Sequence, residues 1–242
     1  MHLENQAALI TGASRGLGAA LTRQLGARGV RVAALARHHE PLAEVVAQVR
    51  QAGGQAHALV GDIADKTATY RIAGSAAELV GSVDILIHNA STLGPTPLKL
   101  LLDTECEDLS EVLEVNLVGP FRLSKAVAGS MALREKGVIV HVSSDAAVQA
   151  YPRWGAYSVS KAASDHLARL LAAELGEHGV RVFSVDPGEM DTEMHAAAIP
   201  DADRASLSSP DQVAARIVDM LVHVEDIANG ARLEATQWPP LS

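Results

Sequence analysis

The chain has 242 residues, a length that suits one large α/β unit with a substantial core. Hydrophobic residues make up 48% of it and aromatic residues only 3%, so Ala, Val, Leu and Ile must build that core. A formal net charge of −9 without a basic stripe argues against nucleic acid as a partner, and the single Cys106 excludes an internal disulfide framework. No run approaches the roughly 18 apolar residues of a membrane span, and the N-terminus lacks a charged segment followed by an apolar one. A cytoplasmic protein without a membrane partner is therefore expected.

In chain order, seven runs read as strands: Ala7 to Thr11, Val30 to Ala36, Gln55 to Val60, Val83 to His88, Val138 to Ser143, Val180 to Asp186 and Ala231 to Ala235. Helical patterns separate them. Continuous apolar strands alternating with helices predict a doubly wound parallel sheet covered on both faces, with ligands at the carboxyl ends of the strands. No linker or internal repeat divides the chain, so residues 1–242 read as one domain. Two helix starts are marked. Thr104 with Glu107 has the spacing of a capping box ahead of a long helix carrying Asn116, and Ser209-Pro210-Asp211-Gln212 supplies a cap, a first-turn proline and a Gln to reach back.

Three segments carry chemistry. After the first strand comes Gly12-Ala13-Ser14-Arg15-Gly16-Leu17-Gly18, a glycine-rich turn opening a helix, where backbone N–H groups and the positive helix end meet a pyrophosphate. Its Gly-x-x-x-Gly-x-Gly spacing differs from the common Gly-x-Gly-x-x-Gly. Tyr157 and Lys161 stand four residues apart, on one helix face, and Ser144 lies thirteen residues before the tyrosine. A free phenol titrates near 10, and a neighbouring ammonium is expected to lower that value and fit the group for proton transfer. Alternation puts Ser143 and Ser144 on opposite faces while the chain stays extended.

Together these segments resemble the short-chain dehydrogenase/reductase family along essentially the whole chain. Thr11-Gly12-x-x-x-Gly16-x-Gly18 matches its cofactor motif, Asn89-Ala90 its strand-four motif, and Asn116, Ser144, Tyr157 and Lys161 its catalytic tetrad. The resemblance implies a Rossmann-type reductase that moves hydride between a nicotinamide and a small-molecule carbonyl or alcohol. It further implies that Gly12, Ser14, Arg15, Gly16, Leu17 and Gly18 hold the pyrophosphate, that Asp62 with Ile63 meets the adenine, and that Pro187, Gly188 and Thr192 close over the nicotinamide. Asp62 as a bare sequence feature equally reads as a helix cap. By the same resemblance Asn116 holds a water linking Lys161 to solvent, and residues 190–209 form a substrate lid. The family's habit of pairing its two long central helices implies a homodimer or homotetramer through small residues such as Ala126, Ala128, Gly129, Ala168, Ala172 and Ala173.

Charge at the end of the second strand selects the cofactor. An acid there would accept from a ribose 2′-hydroxyl, but Ala36 is followed by Arg37, which together with Arg15 favours the 2′-phosphate of NADP(H). His38 and His39 lack further ligands, so no metal site is expected. His88-Asn89-Ala90-Ser91 departs from the family's Asn-Asn-Ala-Gly and is expected to put an ionisable ring beside the cofactor. The C-terminal Gly230-Ala231-Arg232-Leu233-Glu234, followed by Trp238-Pro239-Pro240, replaces the usual glycine-rich ending. Asp145, Gln149, Tyr151, Arg153, Trp154, Met190, Met194 and His195 are candidates for the substrate pocket. The runs around Trp154 and Met190 look somewhat like the sepiapterin reductase branch, which hints at a bulky cyclic or vicinal dicarbonyl. Two other classes compete: a non-catalytic NADP(H)-binding sensor or structural subunit, and a reductase of carrier-bound acyl chains. The first has no use for a proton donor, and the second finds only Arg153 as a basic contact for an acidic carrier.

Overall fold

A computed structural model describes residues 1–239; Pro240, the last residue of the Trp-Pro-Pro run, lies outside the described residues. Seven parallel strands form one sheet in the order β3-β2-β1-β4-β5-β6-β7. They are β1 (Ala7–Thr11), β2 (Arg31–Ala36), β3 (Gln55–Val60), β4 (Ile85–His88), β5 (Gly137–Val142), β6 (Val180–Asp186) and β7 (Arg232–Glu234). The helices are α1 (Gly16–Ala27), α2 (His39–Gln51), α3 (Thr69–Val80), α4 (Cys106–Leu113), α5 (Gly119–Leu133), α6 (Gly155–Leu175), α7 (Glu193–Ala198) and α8 (Pro210–Val222). Four strands differ from the sequence reading at their ends. The β2 pairing starts at Arg31, β4 only at Ile85, β5 is shifted back by one residue, and β7 keeps three residues.

Alternate strand residues feed two cores, as the two-residue period of a strand requires. Ala8, Ile10, Val32, Ala34, Ile85, Ile87, Val138 and Val140 pack under Leu17, Leu21, Val46, Ile217 and Leu221, from α1, α2 and α8. Their neighbours Ala7, Leu9, Ala33, Leu35, Leu86 and Ile139 pack under Ile72, Leu123, Val127, Met131 and Leu171, from α3, α5 and α6. Phe183 is the one phenylalanine in the core, so packing rests on aliphatic side chains.

The helix signals split. Ser209 accepts from Gln212 N (3.2 Å) while the Gln212 amide oxygen accepts from Ser209 N, a complete capping box on α8. Thr104 forms none. Glu105 occupies the cap of α4 without a side-chain bond, and the Thr104 hydroxyl donates backward to Leu100 O at 3.0 Å. Nor does Asn116 sit in one long α-helix: Glu114–Val118 is a π-helical segment between α4 and α5. Such widened turns recur at functional sites because they re-aim side chains and backbone carbonyls.

Candidate active site

The chain order β3-β2-β1-β4 reverses direction beside β1, and the glycine-rich turn sits at that switch point. Asn89 pins it. Its Nδ2 donates to Thr11 O and Gly12 O, both at 3.0 Å, while Thr11 Oγ1 accepts from the backbone N–H groups of Asn89 and Ala90 at 3.0 Å each. A Cβ on Gly12 would lie 2.8 Å from Ala90 Cα, and one on Gly18 would lie 2.1 Å from Gly12 O. Only glycine allows this approach of turn, helix and strand. Arg15 precedes α1 without capping it by its side chain, and no acid lies in the first helical turn. The donors at that end suit the pyrophosphate of a dinucleotide.

Around this cradle, Ser14 and Gly16 are partly exposed and Leu17 is buried. Ala36 closes β2 without a carboxylate, and Arg37 beyond it is exposed. Arg15 is ion-paired with Glu193 on α7, so a cation of the turn touches the segment that follows β6. Asp62 caps no helix: it accepts from Ala64 N at 2.9 Å, closing a turn after β3, with Ile63 buried next to it. Gly188 N donates to Asp186 Oδ1 at 2.9 Å, and Thr192 accepts from His195 N as the cap of α7. The exposed His38 and His39 join no cluster, and among the described residues no three His, Cys, Asp or Glu side chains could hold a metal.

On α6, Tyr157 and Lys161 share a buried face, at 8% and 4% exposure. Lys161 Nζ donates to Val142 O at 2.7 Å and lies 5.5 Å from the centroid of the Tyr157 ring. The expected lowering of the phenol by this ammonium is not what the site does. Burial pushes Tyr157 up to about 12, with Asp186 and Asp145 adding to the rise and the nearby Ser144 and Ser91 hydroxyls opposing it. Burial lowers Lys161 to about 8, against the pull of Asp165 and Asp186. The unliganded tyrosine is thus protonated at neutral pH, in the state of a proton donor.

Asn116 is 3% exposed and its amide is fully used. Oδ1 accepts from Thr92 N (2.8 Å) and Ser91 Oγ (3.2 Å), and Nδ2 donates to Thr92 O and Ser160 Oγ, both at 2.9 Å. No valence of the amide remains for the expected water, which would have to bind the backbone of the π turn. Ser91, which replaces a glycine of the family pattern, thereby braces Asn116.

The ring of His88 does not stand beside the cofactor cradle. It is buried, with Nε2 2.8 Å from Ser124 Oγ on α5, and its centroid is 4.7 Å from that of His141. Burial drives His88 well below its ordinary value, with His141 adding to the fall, and burial lowers His141 to about 3, helped by the Lys161 charge. Both rings are neutral. Because the folded state refuses protons that the unfolded chain takes up below about pH 6.5, stability is complete above that pH. For His141 it falls as pH drops toward 3, by about 1.4 kcal/mol per unit, and His88 adds a loss of the same sign. Urea denaturation between pH 7 and 4 should show this slope, and His141→Asn should make it shallower while leaving the His88 share; an unchanged slope in that variant would contradict the assignment.

Beside Tyr157 opens a cavity of about 250 Å³ lined by Ser143, Ser144, Tyr157, Pro187, Gly188 and Thr192, with Leu93, Trp154, Met190, Met194 and Ile199 as apolar wall. Both serines border it because β5 ends at Val142, where the strict strand alternation stops. Asp145, Tyr151 and His195 also line it. Ser144 Oγ donates to Asp145 Oδ1 at 2.9 Å and Tyr151 Oη to Asp145 Oδ2 at 2.8 Å. Two candidates fall away: Gln149 is exposed and does not border this cavity, and Arg153 lines a neighbouring shallow hollow. Ala198 and Ile199, within the segment 190–209 read as a lid, also reach this wall, whereas the sequence reading missed Leu93, Ala146 and Glu189.

The short chain dehydrogenase family model matches residues 6–203. The chain belongs to the short-chain dehydrogenase/reductase family. It is 32% identical over 232 residues to the 7alpha-hydroxysteroid dehydrogenase of Escherichia coli K12, covering 96% of this chain and 87% of that protein. To the 2,3-dihydro-2,3-dihydroxybenzoate dehydrogenase of Bacillus subtilis it is 35% identical over 192 residues, or 79% and 72% of the two chains. Among solved structures, a 7 alpha-hydroxysteroid dehydrogenase complexed with NADH and 7-oxo glycochenodeoxycholic acid superposes with a TM-score of 0.89 at 29% identity, covering 96% and 93% of the two chains. This short-chain dehydrogenase is accordingly an oxidoreductase acting on hydroxyl and carbonyl groups. Among its described residues no helix is long and apolar enough to cross a membrane.

Proposed function

We propose that the chain is an NADP(H)-dependent reductase that transfers hydride between the nicotinamide and a carbonyl or secondary alcohol, with Tyr157 as general acid and base. The observation that carries this reading is that Ser144 and Tyr157 border one cavity, which Pro187, Gly188 and Thr192 also line. Gly12 to Gly18 would hold the pyrophosphate, Arg15 and Arg37 the 2′-phosphate, Asp62 and Ile63 the adenine, and Asn89, Ala90, Pro187, Gly188 and Thr192 the nicotinamide half. When bound, the nicotinamide supplies the hydride in reduction and accepts it in oxidation.

Ser144 and Tyr157 hydrogen-bond the carbonyl oxygen, and the phenol proton passes to it as charge builds there. Oxidation returns the alcohol proton to Tyr157. Lys161 would hold the cofactor ribose and provides positive charge behind the phenol, while Asn116 and Ser160 brace the turn of α6 that carries Tyr157. The Trp154, Met190 and Met194 wall supports an apolar, bulky cyclic or vicinal dicarbonyl substrate, with residues 190–209 as its lid. A cytoplasmic location accords with the single free Cys106.

NADPH should bind at least about tenfold more tightly than NADH, because a bidentate arginine contact to a 2′-phosphate has no counterpart in NADH. Isothermal calorimetry with both decides it, and equal or tighter NADH binding removes the preference. We further propose a homodimer or homotetramer. Ala128, Ala168 and Ala172 are consumed by the monomer's own core, leaving Gly129, Ala173 and the half-exposed Phe121, Val159 and Leu170 on α5 and α6 for a second copy. Light scattering at micromolar concentration should give a multiple of 25.3 kDa; a monomer would overturn this.

A further inference from the structure

We propose that Arg232, the first residue of β7, is a positioning residue for hydride transfer: it anchors the backbone of Ser144 and neutralises the two carboxylates behind Tyr157 and Lys161. The proposal rests on the reaction assigned above. Arg232 Nη2 donates to Ser144 O and to Asp186 Oδ2, both at 2.9 Å, and Nε donates to Asp165 Oδ2 at 3.1 Å. Its Nη1 lies 3.7 Å from Glu234 Oε1. The side chains of Arg232, Asp165 and Asp186 are 13%, 3% and 8% exposed, so these bonds are largely withdrawn from water.

The geometry ties four places of the site to one guanidinium: the loop after β5 that carries Ser144, the end of β6 before Pro187, α6 one turn beyond Lys161, and β7 itself. A rigid planar fork holds three acceptors in fixed directions at once, whereas an ammonium is a rotatable point charge. Its charge matters as much as its shape. Tyr157 faces Lys161, Asp186 and Asp145, together with the hydroxyls of Ser144 and Ser91; Lys161 faces Asp165, Asp186 and the neutral His141. Asp186 in turn faces Arg232 and Asp145. Among these groups Arg232 is the cation that offsets Asp186, whose negative charge opposes ionisation of the phenol. Without it, the buried Asp186 carboxylate would act on the proton donor with only Lys161 to offset it. The unusual C-terminal run Gly230 to Glu234 thus has a role in the site rather than only at the sheet edge.

The test is an NMR titration of protein labelled with ¹³C-tyrosine, the Tyr157 signal being assigned by its loss in Tyr157→Phe, alongside kcat and KM for a carbonyl substrate. Arg232→Met should raise the Tyr157 midpoint and lower kcat about ten- to hundredfold, with KM for NADPH little changed. Arg232→Lys, which keeps the charge but not the fork, should keep the wild-type midpoint and lose part of kcat. If Arg232→Met does not fold, the double variant Arg232→Met/Asp186→Asn removes one charge of each sign; it should keep the midpoint and still lose kcat, because Ser144 O has lost its anchor. A wild-type midpoint in Arg232→Met, or wild-type kcat in the double variant, would overturn the proposal. The midpoint needs no substrate, so a wild-type protein without turnover counts against the reaction while the titration still judges Arg232.

Discussion

Tyr157→Phe should reduce turnover by about 10²–10⁴-fold and leave NADPH binding nearly intact. The ring keeps its edge contact with Trp154, centroid to centroid 5.8 Å, so packing survives and only the hydroxyl is lost. The deficit should fall on kcat, because the missing proton is needed only as the alkoxide forms. Lys161→Ala should behave differently. Its ammonium is bonded to Val142 O within the core, so removal should weaken cofactor binding, chemistry and stability together. Steady-state kinetics with calorimetric NADPH binding separates the two patterns, and near wild-type reduction by Tyr157→Phe would refute the acid assignment.

Gly18→Ala should cost the protein its cofactor. The added methyl would sit 2.1 Å from Gly12 O and 2.6 Å from Asn89 Nδ2, and the first of these is backbone that cannot swing aside. Overpacking of this kind costs about 1–3 kcal/mol. If the turn moves to relieve it, NADPH affinity should fall by about ten- to hundredfold. Gly74→Ala on α3 is the control, since nothing lies within 4 Å of its added methyl and alanine favours a helix. Calorimetry showing equal NADPH affinity in Gly18→Ala and wild type would mean that the turn does not grip the pyrophosphate.

What the sequence disclosed follows from the range of the forces involved. Strand alternation and the Ser209–Gln212 box are local, and both were legible because each residue's partner lies within a few positions. The Thr104–Glu107 pattern has the same local form, yet Leu100 O captured the hydroxyl once a short 3₁₀ turn formed over Leu101–Asp103. Nothing in Glu114–Val118 announces a π turn; its setting emerges when Asn116 locks onto Thr92 and Ser160 from distant segments.

The site residues were named by motif spacing, but their electrostatics were not. Lys161 four residues from Tyr157 promised a lowered phenol, whereas burial and the carboxylates of Asp186 and Asp145 raise it. Asp186 lay in plain view before Pro187 and Arg232 in an atypical C-terminal run. Their pairing depends on β7 adding beside β6, which no local pattern encodes.

The central claim is that this chain moves hydride between a nicotinamide and a carbonyl carbon. NADPH deuterated at the transferable C4 position, incubated with the protein and a panel of cyclic ketones and vicinal dicarbonyls, tests it directly by mass spectrometry of the products. The expected product is an alcohol carrying one deuterium on the former carbonyl carbon, formed by wild type and absent with Tyr157→Phe. Tight NADPH binding without labelled alcohol from any member of the panel would contradict it and favour a sensor of the cofactor.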